Sequence, residues 1–167
     1  MDVGVGTGYY PAHADLAADS HITLVDLNAH TLSAAAARLS RQDTTILMQD
    51  VFEPAMSLPD RHYDSIALFY LLHCLPGSMK EKVRVFENLK PKLAQGGKLY
   101  GATILGDAAE HNRFGRKLMD IYNRKGIFGN RLDTLDALHE ALHTHFNDVQ
   151  LEQRGKVALF VAQMPRF

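Results

Sequence analysis

The chain has 167 residues, with 18 Lys and Arg against 19 Asp and Glu, a formal net charge of −1 at pH 7, and 46% hydrophobic residues. A length near the usual ~100–200 residues per domain implies one domain, the charge balance excludes a uniformly basic nucleic-acid binder, and the apolar content excludes a disordered chain. The longest apolar run, Ile66–Leu72, is far short of the ~20 residues a membrane helix needs, and a single cysteine, Cys74, excludes an internal disulfide framework and points to a reducing, cytoplasmic setting.

The chain opens on Asp2-Val3-Gly4-Val5-Gly6-Thr7-Gly8. Three alternating glycines let a backbone turn tightly and approach a ligand closely, and Pro11 suits the start of a following helix whose N-terminus favours an anionic group. Ile22–Leu27 is β-branched and apolar, hence a buried strand that ends on an acid, Asp26. Asn28 then caps a helix that has Leu32, Ala35, Ala36 and Leu39 on one face. Thr44–Met48 is the next strand, and residues 50–61, with Pro54 and Pro59, form a loop. Tyr63–Leu72 is a strand running to a turn at Pro76-Gly77. Lys80–Leu93 is predicted helical with Val83, Phe86, Leu89 and Leu93 facing the core, distorted by Pro91 and stopped by Gly96-Gly97. Lys98–Leu105 is a further strand.

Beyond it the pattern changes. Residues 107–129 are predicted helical, with Phe114, Leu118, Ile121 and Tyr122 on one face, and Thr134–His145 forms another helix. Val149–Gln153 and Lys156–Ala162 flank Arg154-Gly155 as a hairpin. Repeated strand–helix–strand order implies an α/β domain: a doubly wound, mostly parallel sheet with a C-terminal antiparallel strand.

An acid closing the second strand can accept hydrogen bonds from both hydroxyls of a ribose, so the opening loop and Asp26 together indicate a nucleoside cofactor across the strand ends. The spacing G-x-G-x-G, with an acid two residues before it, differs from the dinucleotide fingerprint G-x-G-x-x-G. It resembles motif I of the class I (Rossmann-like) S-adenosylmethionine-dependent methyltransferases. Val25-Asp26-Leu27-Asn28, Gln49-Asp50-Val51, Tyr63-Asp64 with the apolar run to Leu72-His73, and Leu93–Leu99 resemble that family's later motifs in order. The resemblance implies that Asp2, Gly4, Gly6 and Gly8 shape the pocket for the methionine end of S-adenosylmethionine. It assigns Asp26 with Leu27 to the ribose and Asp50 with Val51 to the adenine, and places Phe69 beside the cofactor. It also implies that most of the first strand is missing, since Met1 stands directly before Asp2. A chain truncated in this way would be marginal in stability and prone to self-association.

The acceptor side is less sharply marked. His73, His111 and Tyr122 are the candidate catalytic bases. Residues 113–131 carry six bases against one acid, Asp120, interleaved with Phe114, Tyr122 and Phe128. They read either as a solvated amphipathic helix or as a substrate lid favouring an acidic or aromatic acceptor. His139-Glu140-Ala141-Leu142-His143 matches the H-E-x-x-H zinc pattern, but no further G-x-x-H follows, so a solvated helix face is expected and no metal site is assigned. The function implied is O- or N-methylation of a small molecule in the cytoplasm, with neither nucleic acid nor membrane as partner. The alternatives are a non-catalytic cofactor-binding or interaction protein derived from such an enzyme and, more remotely, a zinc metallopeptidase.

Overall fold

A computed structural model describes residues 1–40, 42–54, 57–107, 109 and 111–167. Its strands are β1 (Asp2–Val3), β2 (His21–Asp26), β3 (Asp43–Met48), β4 (Tyr63–Phe69), β5 (Leu93–Ile104), β6 (Phe146–Arg154) and β7 (Val157–Pro165). They form one sheet in the order β3-β2-β1-β4-β5-β7-β6. The first five are parallel, whereas β7 lies antiparallel to both β5 and β6. The doubly wound sheet is therefore as expected, and its antiparallel end is a hairpin of two strands. Gly155 turns it with φ +61°.

The helices are α1 (Tyr9–His13), α2 (Ala29–Arg38), α3 (Met79–Leu89), α4 (Arg113–Arg124) and α5 (Leu135–His145). The Asn28 side chain accepts the His30 N–H as the cap of α2, and Leu32, Ala35 and Leu39 bury against Val5, Ile22 and Leu24. On the other sheet face, α3 and α5 cover Ile66, Leu68, Leu99 and Phe160 with Val85, Phe86, Leu89, Leu138 and Leu142. Alternate residues of β4 thus point to opposite layers, as the two-residue strand period requires.

Four elements differ from the sequence reading. The helix predicted to reach Leu93 ends at Leu89, and a 3-10 turn over Lys90–Lys92 carries Pro91. Pro lacks the N–H that would continue the ladder, so Leu93 already belongs to β5 and Gly96-Gly97 lie inside that strand. Lys82, Val85, Phe86 and Leu89 form the buried face of α3, while Val83 is only partly buried. The strand begun at Tyr63 stops at Phe69, because Tyr70 takes a left-handed φ of +59° and Leu72–Cys74 form a 3-10 turn. Finally, α4 buries only Met119, leaving Phe114 77% exposed.

β1 has two residues. Asp2 pairs with Leu24 on one side and Ala67 on the other. On the amino side of Asp2, no strand lies between His21–Thr23 and Tyr63–Ser65 among the described residues. An open cavity of about 590 Å³ extends from that position, where Met1, His21, Ile22, Tyr63 and Ser65 wall it, to Tyr10, Phe69 and Tyr100.

β5 accepts neighbours on both edges at Gly101. A Cβ there would stand 2.3 Å from the Leu68 carbonyl oxygen and 2.8 Å from the Phe160 ring. The backbone wall cannot give, so Gly101→Ala is expected to cost about 1–3 kcal/mol. Thermal melting checks this, the expected fall being about 2–4 °C per kcal/mol.

Candidate active site

The glycine loop runs off β1 at the carboxyl ends of the parallel strands. The N–H groups of Gly4 and Val5 both donate to the Val25 carbonyl, at 2.8 and 3.3 Å. Gly4, Gly6 and Gly8 all have left-handed φ, between +53° and +72°. They serve different neighbours. A Cβ at Gly4 would strike the Leu71 side chain at 2.7 Å, and one at Gly8 would strike the α2 backbone at Ala35 at 2.9 Å. A Cβ at Gly6 would meet nothing within 4 Å. Gly4 and Gly8 are therefore required by protein packing, whereas Gly6 turns its backbone toward open space, which suits close approach of a ligand. α1 is a five-residue turn, too short for the helix N-terminus expected to face an anion.

The end of β2 closes over this loop. Asp26 accepts the Gly6 N–H on Oδ2 at 3.1 Å and the Asn28 N–H on Oδ1 at 2.9 Å. Each carboxylate oxygen keeps lone-pair capacity for a further donor, so the residue fits a ribose diol as well as its structural role. The Gln49 N–H donates to the Asp26 carbonyl at 3.1 Å, which brings the next segment alongside. There Asp50 accepts the Phe52 N–H on Oδ1 at 2.9 Å, and the Asn88 side chain donates to the Val51 carbonyl at 2.9 Å. The Phe52 N–H thus fixes the orientation of the Asp50 carboxylate and leaves Oδ2 to accept from another donor. Leu27 is 68% exposed at the mouth of the cleft. These placements fit a nucleoside cofactor with a methionine tail: a diol acceptor, an adjacent acid for an exocyclic amine, and a loop with room beside Gly6.

Aromatic side chains collect on the other flank. Tyr10 stacks on Phe69 at 4.6 Å and on Tyr70 at 5.8 Å. His73 lies edge-on to Phe128 at 4.6 Å, and Phe128 edge-on to Tyr122 at 4.9 Å. His73 is buried; burial, and secondarily the Lys82 ammonium, push its pKa down to about 4. A ring that weakly basic is a poor proton acceptor at neutral pH. His111 differs. Its Nε2 lies 3.2 and 3.0 Å from the carbonyl oxygens of Leu105 and Gly106. Two carbonyl partners place the proton on Nε2, so Nδ1 is the basic nitrogen. Tyr122 is half-buried beneath Phe128.

The loop glycines, Asp26, Leu27, Asp50 and Val51 thus gather at one end of the sheet, with Phe69 and His73 beyond the loop. His139 and His143 stand apart on α5, with ring centroids 4.3 Å apart. No group of three or more His, Cys, Asp or Glu residues placed to hold a metal occurs among the described residues. The sequence reading missed Tyr70, whose strained φ places its ring against Tyr10, and Leu71, which packs on Gly4. Neither has a spacing signal. It also missed the burial of Lys82 and Asp133, both 0% exposed.

Residues 1–99 match the family described as "Methyltransferase domain". The uncharacterized protein YbcY of Escherichia coli (strain K12) is 45% identical over 163 residues, covering 97% of this chain and 83% of that protein. The chain belongs to the class I, S-adenosylmethionine-dependent methyltransferases. Demethylluteothin O-methyltransferase of Streptomyces thioluteus is 40% identical over 97% of this chain and 70% of its own length. The N-methyltransferase NodS from Bradyrhizobium japonicum WM9, solved with S-adenosyl-L-homocysteine, shares the fold with a TM-score of 0.66 at 16% identity, covering 99% of this chain and 76% of that one.

Within this methyltransferase, Asp2 is 6% exposed at the root of the loop. Burial raises its carboxyl from the ordinary 3.8 to about 7, the N-terminal ammonium opposing and Asp26 adding to the rise. The folded state therefore binds this proton more tightly than the unfolded chain does. Its contribution to stability is complete below pH ~4 and is lost as pH climbs through ~7. Chemical denaturation of the wild type is expected to show stability falling between pH 4 and 7, and Asp2→Asn to flatten that decline.

Proposed function

We propose that this methyltransferase transfers a methyl group from S-adenosylmethionine to a hydroxyl oxygen of a small aromatic acceptor. The observation that carries the acceptor class is the aromatic flank itself: Tyr10, Phe69, Tyr70, Phe128 and Tyr122 stand together at the carboxyl end of β4. Flat walls of this kind favour planar rings through stacked and edge-on contacts. The 40% identity to an O-methyltransferase supports oxygen over nitrogen as acceptor atom.

The cofactor, when bound, supplies an activated sulfonium methyl group. The chain's own residues then bind and orient. Asp26 receives the ribose hydroxyls, Asp50 and Val51 the adenine edge, and Leu27 covers the adenosine. Asp2, Gly4, Gly6 and Gly8 enclose the methionine end, and Phe69 borders it. His73, nearly non-basic, and Tyr122 shape the cleft, whereas His111 lines a separate surface hollow with Asn112, Phe114, Gly115 and Lys156. Positioning of acceptor against donor and exclusion of water are the main catalytic tasks left to the protein. α4 and the segment to Arg131 act as a lid over this cleft in a single-domain chain, and the exposed bases Arg113, Arg116 and Lys117 favour acceptors that also carry an acidic group.

Asp26→Ala removes up to two charge-assisted hydrogen bonds to the ribose, each worth about 1.5–3 kcal/mol. Titration calorimetry with S-adenosylhomocysteine is expected to show a loss of affinity of at least ~10-fold, and no binding of NAD by the wild type. Wild-type affinity in Asp26→Ala would remove the ribose assignment.

No helix among the described residues is long and apolar enough to cross a membrane.

A further inference from the structure

Lys82 on α3 and Asp133 before α5 form an ion pair at 2.5 Å with both side chains 0% exposed. Removing two charges from water costs several kcal/mol per ion, and an apolar pair of similar volume is often no less stable. Stability alone therefore does not account for this arrangement. The neighbours of the pair suggest what it does. The Lys82 ammonium also donates to the Gly129 carbonyl at 3.0 Å. The Gly129 N–H donates to the His73 carbonyl at 2.9 Å. Gly129 lies so close to the turn after β4 that a Cβ would stand 2.3 Å from the Leu75 carbonyl oxygen. Immediately before it, Phe128 covers His73. Immediately after it, the buried Asn130 donates to the Ile104 carbonyl at 2.9 Å, and the Asp133 carbonyl accepts the Gly106 N–H at 2.8 Å. Residues 128–133 are thus a strap that joins the ends of β4 and β5 to α3.

We infer that Lys82 and Asp133 are positioning residues: the buried pair latches the 128–133 strap so that Phe128 is held over His73 as one wall of the acceptor cleft. This rests on the methyl-transfer reading only for the identity of the cleft. The latch itself stands on the contacts above. A charged pair suits this task better than an apolar one. It imposes one geometry, because the ammonium must serve Gly129 and Asp133 together, whereas apolar groups tolerate sliding.

The test compares wild type with Lys82→Met/Asp133→Leu, which removes both charges together and leaves neither stranded. Thermal melting, S-adenosylhomocysteine titration, Gly129 amide exchange and the His73 ring-proton NMR shifts are measured on each. In the wild type, the Phe128 ring current is expected to displace the His73 resonances, and the Gly129 amide to be protected. The double variant is expected to melt within a few degrees of wild type and to bind S-adenosylhomocysteine equally. Its Gly129 amide is expected to exchange at least ~100-fold faster, and the His73 displacement to disappear. If the double variant does not fold, the isosteric Asp133→Asn is read in its place, with a smaller acceleration in the same direction. Unchanged exchange and unchanged His73 shifts in a folded variant overturn the latch. Addition of 2-naphthol to the wild type loaded with S-adenosylhomocysteine is expected to perturb His73 and Phe128 resonances, and not those of the double variant. No perturbation in the wild type removes the strap from the acceptor wall. Failure of every form to bind S-adenosylhomocysteine counts against the methyl-transfer reading and leaves the exchange and shift data to judge the latch.

Discussion

One carboxylate ties the glycine-loop end of the molecule together. Asp26 holds the Gly6 N–H with one oxygen and the Asn28 N–H with the other, so the glycine loop and the start of α2 are referred to the same side chain. The loop cannot drift from the end of β2 without stranding an acceptor. Its own curvature comes from three left-handed glycines, and its closeness to α2 comes from the missing Cβ of Gly8 against Ala35. A ligand meeting this surface finds acceptor positions already fixed, so less ordering remains to be done on binding.

The other end is organised by buried backbone accounting. β4 and β5 finish in turns whose carbonyls need donors, and a segment far along the chain supplies them. Gly129 serves His73, Asn130 serves Ile104, and Lys82 returns to Gly129. Buried polar groups are costly unless paired, so this mutual satisfaction makes the strap part of the same unit as the strand ends. The aromatic residues between loop and strap are then held by the two ends they connect.

The departures from the sequence reading share a cause. Helical spacing assigned Val83 to the core, but the neighbours of α3 are α5 and the strap, and these turn Lys82, Val85 and Phe86 inward. The same spacing put Phe114 and Leu118 on one face with Ile121 and Tyr122. α4 instead rests on Met119 and leaves them outward, because the strap anchors Asn123 to Asn130 at 3.2 Å and so sets the rotation of the helix. Periodicity reveals that a helix has an apolar side; it does not reveal which elements stand opposite.

By itself the sequence determined what depends on local chemistry and order: the alternating strands and helices, the glycines that must turn, the acid at the end of β2, the Asn28 cap and the Gly155 hairpin. These need only nearest neighbours, and each has a spacing signature. Tertiary structure alone decided what depends on distant meetings. Lys82 reads as one more lysine on an amphipathic helix until Asp133, fifty-one residues later, is brought against it. Tyr70 reads as part of an apolar run until its backbone is turned left-handed beside Tyr10. Such residues acquire their roles from burial and from partners far along the chain, and no pattern within one segment encodes either.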